Sequence, residues 1–442
     1  MRQLAHPDAP DRGINRLMRR STAALVVILV AAIPRLVVLT RERETILEEF
    51  VDKSDRFAVT LVEHGTFGFL PGVPSAYTQP LYGWFLAGLY LPFDRSWLAV
   101  GLAQIAVAVV TALLVLEIGI RLRSPGVGLV AALLATLHPY VVWHDVHANR
   151  EVLDGLVLAL LVLCALLAYE NRSLPMATAT GCVAGLAILG NARLILLPVA
   201  IAAYVAWRVR PGTRALATAA VLVAGAALVV APWVARNKIE VGCYAITTDA
   251  RALWKANNPN TRGVLDRGGW IDDVPELPGA PPWPELAADL TLAGKPTSVD
   301  ECAQMRLYRE EVVEFWREQP GEKARLAAQA TRMLWNPVPS ESDSSGSGGA
   351  RLARRTVEPT FMVGLYALAI AGLFFAPRHF VTLTLLLVAY NTFAAMVFAG
   401  TARYRAPWDF LLALLAAFVL AEIWQRVRKR RGYAAAGSSA AT

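Results

Sequence analysis

Long apolar runs dominate the sequence and restrict it to one class of fold. Residues 22–39, "TAALVVILVAAIPRLVVL", hold a single charged side chain in eighteen positions, and similar runs recur along the chain. A helix needs about 20 apolar residues to cross the hydrocarbon core of a bilayer. Charged residues make up only 18% of the chain, whereas soluble proteins average about 25%. The sequence therefore predicts an all-α polytopic membrane protein.

Runs of this kind occur about ten times by the usual length criterion. The stretch 79–93, "QPLYGWFLAGLYLPF", is apolar but short and flanked by proline, so we predict an interfacial or re-entrant helix there. The predicted spans lie near residues 22–39, 97–120, 126–142, 152–169, 175–191, 193–208, 214–234, 357–376, 380–400 and 406–425.

Lysine and arginine in the short loops predict the orientation. Cytoplasmic loops are enriched in these residues, and five arginines precede the first span. Threading ten spans from a cytoplasmic N-terminus also places the other basic short loops and the tail "QRVRKRRGY" inside. We expect a multi-pass protein of the inner (plasma) membrane with both termini cytoplasmic. The net charge of +8 fits basic collars beside anionic lipid and requires no nucleic acid.

This topology divides the chain into five regions. In the second external region, residues 301–335 predict a helix broken at Pro320-Gly321, and "SESDSSGSGGA" after it has the composition of a flexible linker. The regions are a cytoplasmic N-terminus (1–21), an N-terminal transmembrane region (22–234) that includes the first external loop (41–96), an extracytoplasmic loop domain (235–356), C-terminal transmembrane helices (357–425) and a basic cytoplasmic tail (426–442).

The four cysteines fall into two pairs. Cys164 and Cys182 lie inside predicted spans, where we expect them to be packing residues. Cys243 and Cys302 lie in the same external region, and an oxidising compartment would permit a disulfide between them. Their separation in sequence gives no distance in space, so the pairing stays open.

An acidic segment follows the first span. "LEEFVDKSDRF" (47–57) holds four carboxylates in eleven positions. As one helix, it would lie along the interface with its apolar side toward the bilayer and its acids toward a water-filled space. The apolar stripe would contain Leu47, Val51, Ala58 and Leu61, and the acidic face Glu48, Asp52 and Asp55.

Two interpretations of these acids compete. Glu49–Lys53 and Asp52–Arg56 stand at i,i+4 in the favourable order, which is typical of a solvated helix face. Alternatively, the acids belong to an active site held at the membrane surface, where functional carboxylates cluster. The charge pattern alone does not decide between them.

The next segment favours an active site. "GTFGFLPGVPSAYTQPLYGWFLAGLY" (65–90) is aromatic, rich in proline and leads back into the membrane. With the acidic segment it resembles the first external loop of the GT-C superfamily of glycosyltransferases, and most of all the branch of protein O-mannosyltransferases and lipid A aminoarabinose transferases. That branch has an acidic motif after the first span, then a small residue, a Gly-Phe-like element and "PPLY". The corresponding pieces are Glu49/Asp52/Asp55, Ala58, Gly65-Thr66-Phe67 and Gln79-Pro80-Leu81-Tyr82.

The resemblance continues in chain order over nearly the whole sequence. "APWVARN" (231–237) resembles the family's helix end before its large external loop, and "ALWKANNPNTRG" (252–263) its "GNNP" loop. "FWREQPGEKARLAAQATRMLW" resembles the "HPG" helix, and "RYRAP" (403–407) the last external turn. Each motif is weak alone, while the ordered set is fairly specific.

The chain departs from the family pattern at the acids. The family has an adjacent acidic pair followed three residues later by Tyr, and this segment has no Asp-Glu-x-x-Tyr. Counting back from Ala58 places the expected pair between Glu49 and Asp52. The resemblance implies a catalytic carboxylate in this segment, with Asp52 as the first candidate and Glu49 and Asp55 behind it.

The resemblance also implies the reaction. A polyprenyl-phosphate sugar would be attacked at its anomeric carbon by a hydroxyl of an extracytoplasmic lipid, glycan or protein. One carboxylate would act as general base, and single displacement would invert the anomeric centre. The leaving phosphate needs fixed cations. Mannose and arabinose carriers are both compatible with the likeness, and membrane lipids would surround the enzyme.

Arginines near the outer membrane edge are candidates for the phosphate. Arg403 and Arg405 in "GTARYRAP" suit bidentate phosphate contact, although arginines at this depth also snorkel without a ligand. Arg236 and Arg193 are weaker candidates of the same kind, and Arg35 could snorkel from the first span. The other predicted substrate-binding residues are Tyr77, Tyr82, His144, Asp145, His147, Glu151, Arg236 and Asn258.

A metal site is not favoured. His144, Asp145 and His147 carry groups that bind several divalent ions, but their spacing is not diagnostic and no further ligands are evident. A monophosphate carrier can be handled with Arg and Lys, so we expect no cofactor. These residues would instead line the donor or acceptor cavity, and Glu151 stands where the family often has an acid.

Two other functions remain open. A transporter or lipid flippase would use the same polar groups as a substrate path, but transporters usually show paired halves with matching broken helices. No such symmetry is evident, and the large external region occurs only once. A non-catalytic scaffold of GT-C type also fits, because the adjacent acid pair is missing.

Overall fold

The computed structural model describes residues 9–49, 51–209, 212–338 and 348–439. These residues form helices joined by turns, and they contain no β-sheet. The helices that precede the external loop region are α1 (Ala9–Arg41), α2 (Ser54–His64), α3 (Pro80–Phe93), α4 (Trp97–Leu122), α5 (Pro125–Thr136), α6 (Pro139–His144), α7 (Glu151–Asn171), α8 (Leu174–Gly190), α9 (Leu197–Val209) and α10 (Thr213–Glu240). The remaining ones are α11 (Ala250–Lys255), α12 (Thr261–Asp266), α13 (Pro284–Leu292), α14 (Glu301–Glu318), α15 (Pro320–Trp335), α16 (Gly348–Gly372), α17 (Arg378–Val397), α18 (Ala402–Arg405) and α19 (Asp409–Ser439).

Six stretches of the described helices are long and apolar enough to cross a membrane. They are Arg20–Arg41, Trp97–Leu122, Glu151–Asn171, Thr213–Glu240, Arg378–Val397 and Ala402–Arg428. Shorter apolar helices lie at Pro125–Thr136, Leu174–Gly190 and Ala192–Trp207. The all-α polytopic membrane fold is confirmed, while the number of ten spans stays a prediction.

The third predicted span, 126–142, is two helices. α5 ends at Thr136 and α6 begins at Pro139. His138 has ψ of 119°, outside the helical region, because the ring of a following proline disfavours helical backbone at the preceding residue. After the break, α6 leads into a loop that begins at Asp145 and ends before Glu151, the first residue of α7.

α19 is the central helix of the membrane region. Every residue from 405 to 419 is buried, as expected for a helix that is apolar all round. α8 and α10 approach closely at small residues: a Cβ added at Gly181 would lie 2.0 Å from the carbonyl oxygen of Leu222. Such contacts are the usual means of packing helices in lipid.

The external loop region packs around its own small core. Trp254 of α11 belongs to the same apolar cluster as Met305, Tyr308 and Val312 of α14, and its ring packs against that of Tyr308. The structure joins Cys243 to Cys302 by a disulfide, with Cα atoms 5.9 Å apart. α14 ends at Glu318 and α15 begins at Pro320, so the predicted break is confirmed. Most of the predicted linker, 340–350, lies outside the described residues.

The prediction of one acidic interfacial helix is wrong. Residues 43–48 form turns, and α2 begins only at Ser54. Asp52 Oδ1 accepts a hydrogen bond from the backbone N–H of Ser54 at 2.9 Å, a local turn that competes with helix continuation. Asp52 therefore lies before the helix and does not share a face with Asp55.

Candidate active site

Asp52 lies in a half-buried turn between α1 and α2. Its backbone N–H donates to the carbonyl of Ala148 at 2.9 Å, which fixes the turn against the loop before α7. Oδ1 accepts from the N–H of Ser54 at 2.9 Å and from its hydroxyl at 2.6 Å. Oδ2 faces Nη2 of Arg403 at 3.5 Å. The side chain is 9% exposed.

Arg403 joins Asp52 to a second carboxylate. It belongs to α18, the short turn before α19, and its Nε donates to Oε1 of Glu151. Glu151 is the first residue of α7, where a negative charge is favoured by the helix dipole. The ion-pair network Asp52–Arg403–Glu151 thus connects the first external loop, the start of α7 and the last external turn.

Two further arginines lie near this ion-pair network. Arg150 precedes Glu151, and its Nη1 donates to the side-chain oxygen of Gln79 at 2.9 Å. Arg193 donates through Nη2 to the carbonyl of Ala399 at 3.0 Å. Within the described part of the chain, Nε and Nη1 of Arg193 are buried and find no hydrogen-bond partner. Arg150 and Arg403 are the cations that act on the charge of Asp52, and Arg193 lines a small cavity together with Arg403 and Asp154. We call the region around Asp52, Arg150, Glu151, Arg193 and Arg403 the pocket.

The surrounding charges keep Asp52 ionised. Burial raises the pKa of this carboxyl, but Arg150, Arg403 and the hydrogen bonds from Ser54 outweigh burial, so its pKa lies below the ordinary value. A carboxylate with one oxygen held by Ser54 and the other beside a guanidinium is an oriented proton acceptor. The arrangement suits removal of a proton from a neutral hydroxyl.

The other two acids of the segment are placed differently. Asp55 accepts from Arg95, whose Nη2 lies 3.0 Å from Oδ2, and from the hydroxyl of Tyr90. Both contacts tie α2 to the end of α3 and leave Asp55 outside the Asp52 pocket. Glu49 is exposed at the end of the turn after α1. Of the three candidate acids, only Asp52 contacts the arginines of the pocket.

The two arginines of the last external turn have separate surroundings. Arg405 is fully buried and pairs with Asp409, with Nε 3.0 Å from Oδ2. It also donates to the carbonyls of Leu334 and Asn336 at 3.0 and 2.9 Å, and so it fixes the end of α15 to α19. Arg403 reaches the pocket, whereas Arg405 is committed to these contacts.

Several predicted substrate-binding residues hold the loops. Arg236 donates to the carbonyls of Ser75 and Phe67 at 2.8 and 3.2 Å. The amide of Asn258 donates to the carbonyl of Trp254 at 3.1 Å within its own loop. These contacts shape the first external loop and the loop after α11.

Tyr77 and Tyr82 have different surroundings. Tyr82 is buried and its hydroxyl donates to the side chain of Gln104 at 2.7 Å. The ring of Tyr77 lies under Nζ of Lys53, 4.5 Å from its centroid. Tyr82 therefore faces the membrane helices, and Tyr77 faces the external region.

His144, Asp145 and His147 pack behind Glu151. Asp145 pairs with Arg35, with Oδ2 2.7 Å from Nη2. Burial raises the pKa of Asp145 above its ordinary value even with Arg35 beside it. Nδ1 of His147 lies 3.0 Å from the carbonyl of Trp143. In the described ranges, no group of three or more His, Cys, Asp or Glu side chains could hold a metal ion.

Sequence reasoning missed Arg150 and Ser54. Arg150 carried a signal, because it is an arginine in a short loop that the predicted topology places on the outside, where basic residues are depleted. Ser54 carried none, since a serine beside an aspartate is common and its role depends on the turn.

An apolar groove runs beside the pocket along the membrane region. It has a volume of about 580 Å³ and lies between α8, α9, α10 and the overhanging residues 244–253. Ile195 and Val199 line it and are more than half exposed. Asp249 lines its polar end and pairs with Lys53, the neighbour of Asp52, at 2.6 Å. The ion pair therefore ties one edge of the groove to the turn that carries Asp52.

Residues 74–235 match a family model described as dolichyl-phosphate-mannose-protein mannosyltransferase. This range contains Arg150 and Glu151 and ends one residue before Arg236. No curated protein sequence matches the chain.

One solved structure shares the fold at low sequence identity. The archaeal oligosaccharyltransferase AglB from Archaeoglobus fulgidus, in complex with an inhibitory peptide and a dolichol-phosphate, is 12% identical with a TM-score of 0.51. The match covers 93% of this chain and 52% of that one, so the chain spans about half the length of that enzyme.

Two further structures match with lower scores. The apo form of the Archaeoglobus fulgidus oligosaccharyltransferase is 13% identical, has a TM-score of 0.48 and is matched over 93% of this chain and 52% of its own. ArnT from Cupriavidus metallidurans, bound to undecaprenyl phosphate, is 13% identical, has a TM-score of 0.33 and is matched over 91% and 77%. The chain thus has an all-α polytopic fold of GT-C type and resembles the mannosyltransferase branch of the GT-C membrane glycosyltransferases.

Proposed function

We propose that this protein moves a sugar from a polyprenyl-phosphate carrier to a hydroxyl of an extracytoplasmic lipid, glycan or protein. The observation that carries the proposal is the meeting of Asp52 and Arg403, which lie 351 residues apart with Oδ2 and Nη2 at 3.5 Å. A general base and a fixed cation side by side are what transfer from a phosphate ester requires.

The reaction follows from the placement of these groups. Asp52 takes the proton of the acceptor hydroxyl as the oxygen attacks the anomeric carbon. The bond from that carbon to the phosphate oxygen breaks, and its electron pair stays on the phosphate. Arg403, Arg150 and Arg193 stabilise the charge that develops there. One displacement inverts the anomeric centre, so a single base suffices.

The surroundings of the pocket support a lipid donor. The apolar groove beside it would hold the prenyl chain, with the phosphate toward the arginines. The family model that matches residues 74–235 is named for a dolichyl-phosphate sugar, and the oligosaccharyltransferase with the same fold binds a dolichol-phosphate. We infer a hexose or pentose on a polyprenyl phosphate as the donor class.

The site faces the extracytoplasmic side in this proposal. Basic residues cluster before the first span and after the last, which favours cytoplasmic termini in the inner (plasma) membrane. The Cys243–Cys302 disulfide lies in the loop region beside the pocket and suits an oxidising compartment.

A donor panel tests the proposal. Membranes that contain the protein, and matched membranes without it, are incubated with radiolabelled polyprenyl-phosphate mannose, arabinose and glucose, and with the corresponding nucleotide sugars. We expect the protein to consume at least one lipid-linked sugar and none of the nucleotide sugars, with inverted anomeric configuration in the product. Consumption of none of the lipid-linked sugars, or retention of configuration, would contradict the proposal.

A further inference from the structure

Asp52 has one oxygen available to an acceptor, and Arg403 stands in front of it. Oδ1 is held by the N–H and the hydroxyl of Ser54 at 2.9 and 2.6 Å. Oδ2 faces Nη2 of Arg403 at 3.5 Å. A hydroxyl that gives its proton to this carboxylate must therefore approach Oδ2, where a guanidinium N–H already points.

Glu151 holds the same guanidinium more closely. Nε of Arg403 donates to Oε1 of Glu151 in the shorter of the two contacts. A contact at 3.5 Å is at the limit of hydrogen bonding, so a small movement of Arg403 toward Glu151 breaks its contact with Asp52. Both carboxylates are 9% exposed, whereas Arg403 is 32% exposed. Of Asp52, Glu151 and Arg403, Arg403 is therefore the residue that a ligand can reach.

We propose that Glu151 is a positioning residue that draws Arg403 away from Asp52, and that the phosphate of the donor completes this withdrawal. The proposal rests on the proposed function, because it needs a donor with a phosphate. A guanidinium binds phosphate through two parallel N–H groups, so Arg403 turns its free edge to the ligand while Glu151 keeps hold of Nε. Oδ2 of Asp52 is then open to the acceptor only when the donor is in place.

The charges around the pocket support this order of events. Arg150 and Arg403 are the cations that hold down the pKa of Asp52 against burial. When a phosphate engages Arg403, that cation stabilises Asp52 less, and the pKa of the carboxyl rises. Donor binding would therefore turn a weak base into a stronger one. The other titratable groups around Asp52 are Lys53, Tyr82, Glu151 and Asp154.

The test measures protonation of Asp52 without turnover. Carbodiimide labels protonated carboxyl groups, and mass spectrometry of the full-length protein in detergent gives the pH of half-labelling at Asp52. Undecaprenyl phosphate is the probe, since it carries the phosphate and no sugar, and its binding is measured in the same sample. We expect the lipid to raise the half-labelling pH by about one unit or more.

Two variants separate the roles of Arg403 and Glu151. Glu151→Gln should lower the half-labelling pH of Asp52 in the absence of lipid, because Arg403 then moves onto Asp52. Arg403→Gln should raise it and remove its response to the lipid. Arg267→Gln, a change at an exposed arginine of the loop region, is the matched control and should behave as wild type.

Each of three other outcomes would contradict a specific part of the proposal. If the lipid binds and the half-labelling pH of wild type does not change, release of Asp52 is wrong while the donor class stands. If Glu151→Gln labels as wild type does, the positioning role of Glu151 is wrong. If the lipid does not bind, the donor class and the proposal both fail.

Discussion

Lys53 and Asp249 form an ion pair across 196 residues, with Nζ 2.6 Å from Oδ2. Lys53 follows Asp52, and Asp249 precedes α11 of the external loop region. The side chains are 32% and 13% exposed. The pair therefore joins the turn that carries the proposed base to the loop region above it.

Removal of this ion pair should destabilise the protein at the turn that carries Asp52. Lys53→Met leaves Asp249 partly buried without its cation, and we expect a loss of about 1–2 kcal/mol in the free energy of unfolding. Thermal unfolding in detergent measures this loss, and a double-mutant cycle with Asp249→Asn isolates the coupling. Lys295→Met, at an exposed lysine, is the control. A coupling energy near zero would show that the pair does not hold the turn.

Asp55 should matter for stability and not for proton transfer. Asp55→Asn weakens the contacts with Arg95 and Tyr90, at a cost of about 1–3 kcal/mol. We expect a lower melting temperature, with transfer activity retained per folded molecule. Loss of activity at an unchanged melting temperature would instead assign the base to Asp55.

The pocket also depends on a close backbone approach before α18. A Cβ added at Gly400 would lie 1.7 Å from the carbonyl oxygen of Ala330, so Gly400→Ala must displace the turn that carries Arg403. We expect transfer to fall about 100-fold, since a displacement near 1 Å has that effect on positioned groups. Gly364→Ala, where a Cβ meets nothing within 4 Å, should retain activity. Equal activities would place Arg403 outside the reaction.

The Cys243–Cys302 disulfide closes a segment with a sequence separation of 59. The chain-entropy model gives a stabilisation of about 4 kcal/mol for a loop of this length. The double substitution of both cysteines by serine should therefore lower the melting temperature of the external region, and dithiothreitol should do the same to wild type. Substitution of Cys164 and Cys182 by serine should leave this response to dithiothreitol intact. A reductant-insensitive wild type would contradict the disulfide.

Lys323 should make stability depend on alkaline pH. Burial lowers its pKa to about 8, whereas an unfolded lysine has a pKa of about 10.4. Between these values the unfolded chain binds the proton and the folded chain does not, so stability rises with pH. The melting temperature should rise between about pH 8 and pH 10, and Lys323→Met should remove that rise. If the melting temperature of wild type falls between about pH 8 and pH 10 as steeply as that of Lys323→Met, this role of Lys323 is wrong.

The sequence predicted the structural features that depend on residues close to one another in sequence. Apolar runs revealed the helices of the membrane region, and Pro320-Gly321 marked the break between α14 and α15 because proline and glycine act locally. The acidic segment was misjudged for the opposite reason. Lys53 and Arg56 pair with Asp249 and Asp289, at 2.6 and 2.7 Å, and these partners come from nearly 200 residues or more away.

The site was predicted in its parts but not in its connections. Asp52, Glu151 and Arg403 were each candidates from their sequence motifs, yet no spacing rule joins residues from the first loop, α7 and the last turn. The difference between Arg403 and Arg405 was also beyond the sequence. It depends on Asp409 and on the carbonyls at the end of α15, which hold Arg405 away from the pocket.

The most direct test of the central claim is sugar transfer by Asp52→Asn, compared with wild type and with Glu63→Gln, a change at an exposed acid of α2. Glu49→Gln is measured beside them as the alternative base. We expect Asp52→Asn to bind undecaprenyl phosphate as wild type does and to lose transfer by about 100-fold or more, in the range of a lost general base. Glu63→Gln and Glu49→Gln should retain activity. Transfer at the wild-type rate by Asp52→Asn would contradict the assignment of Asp52 as the base.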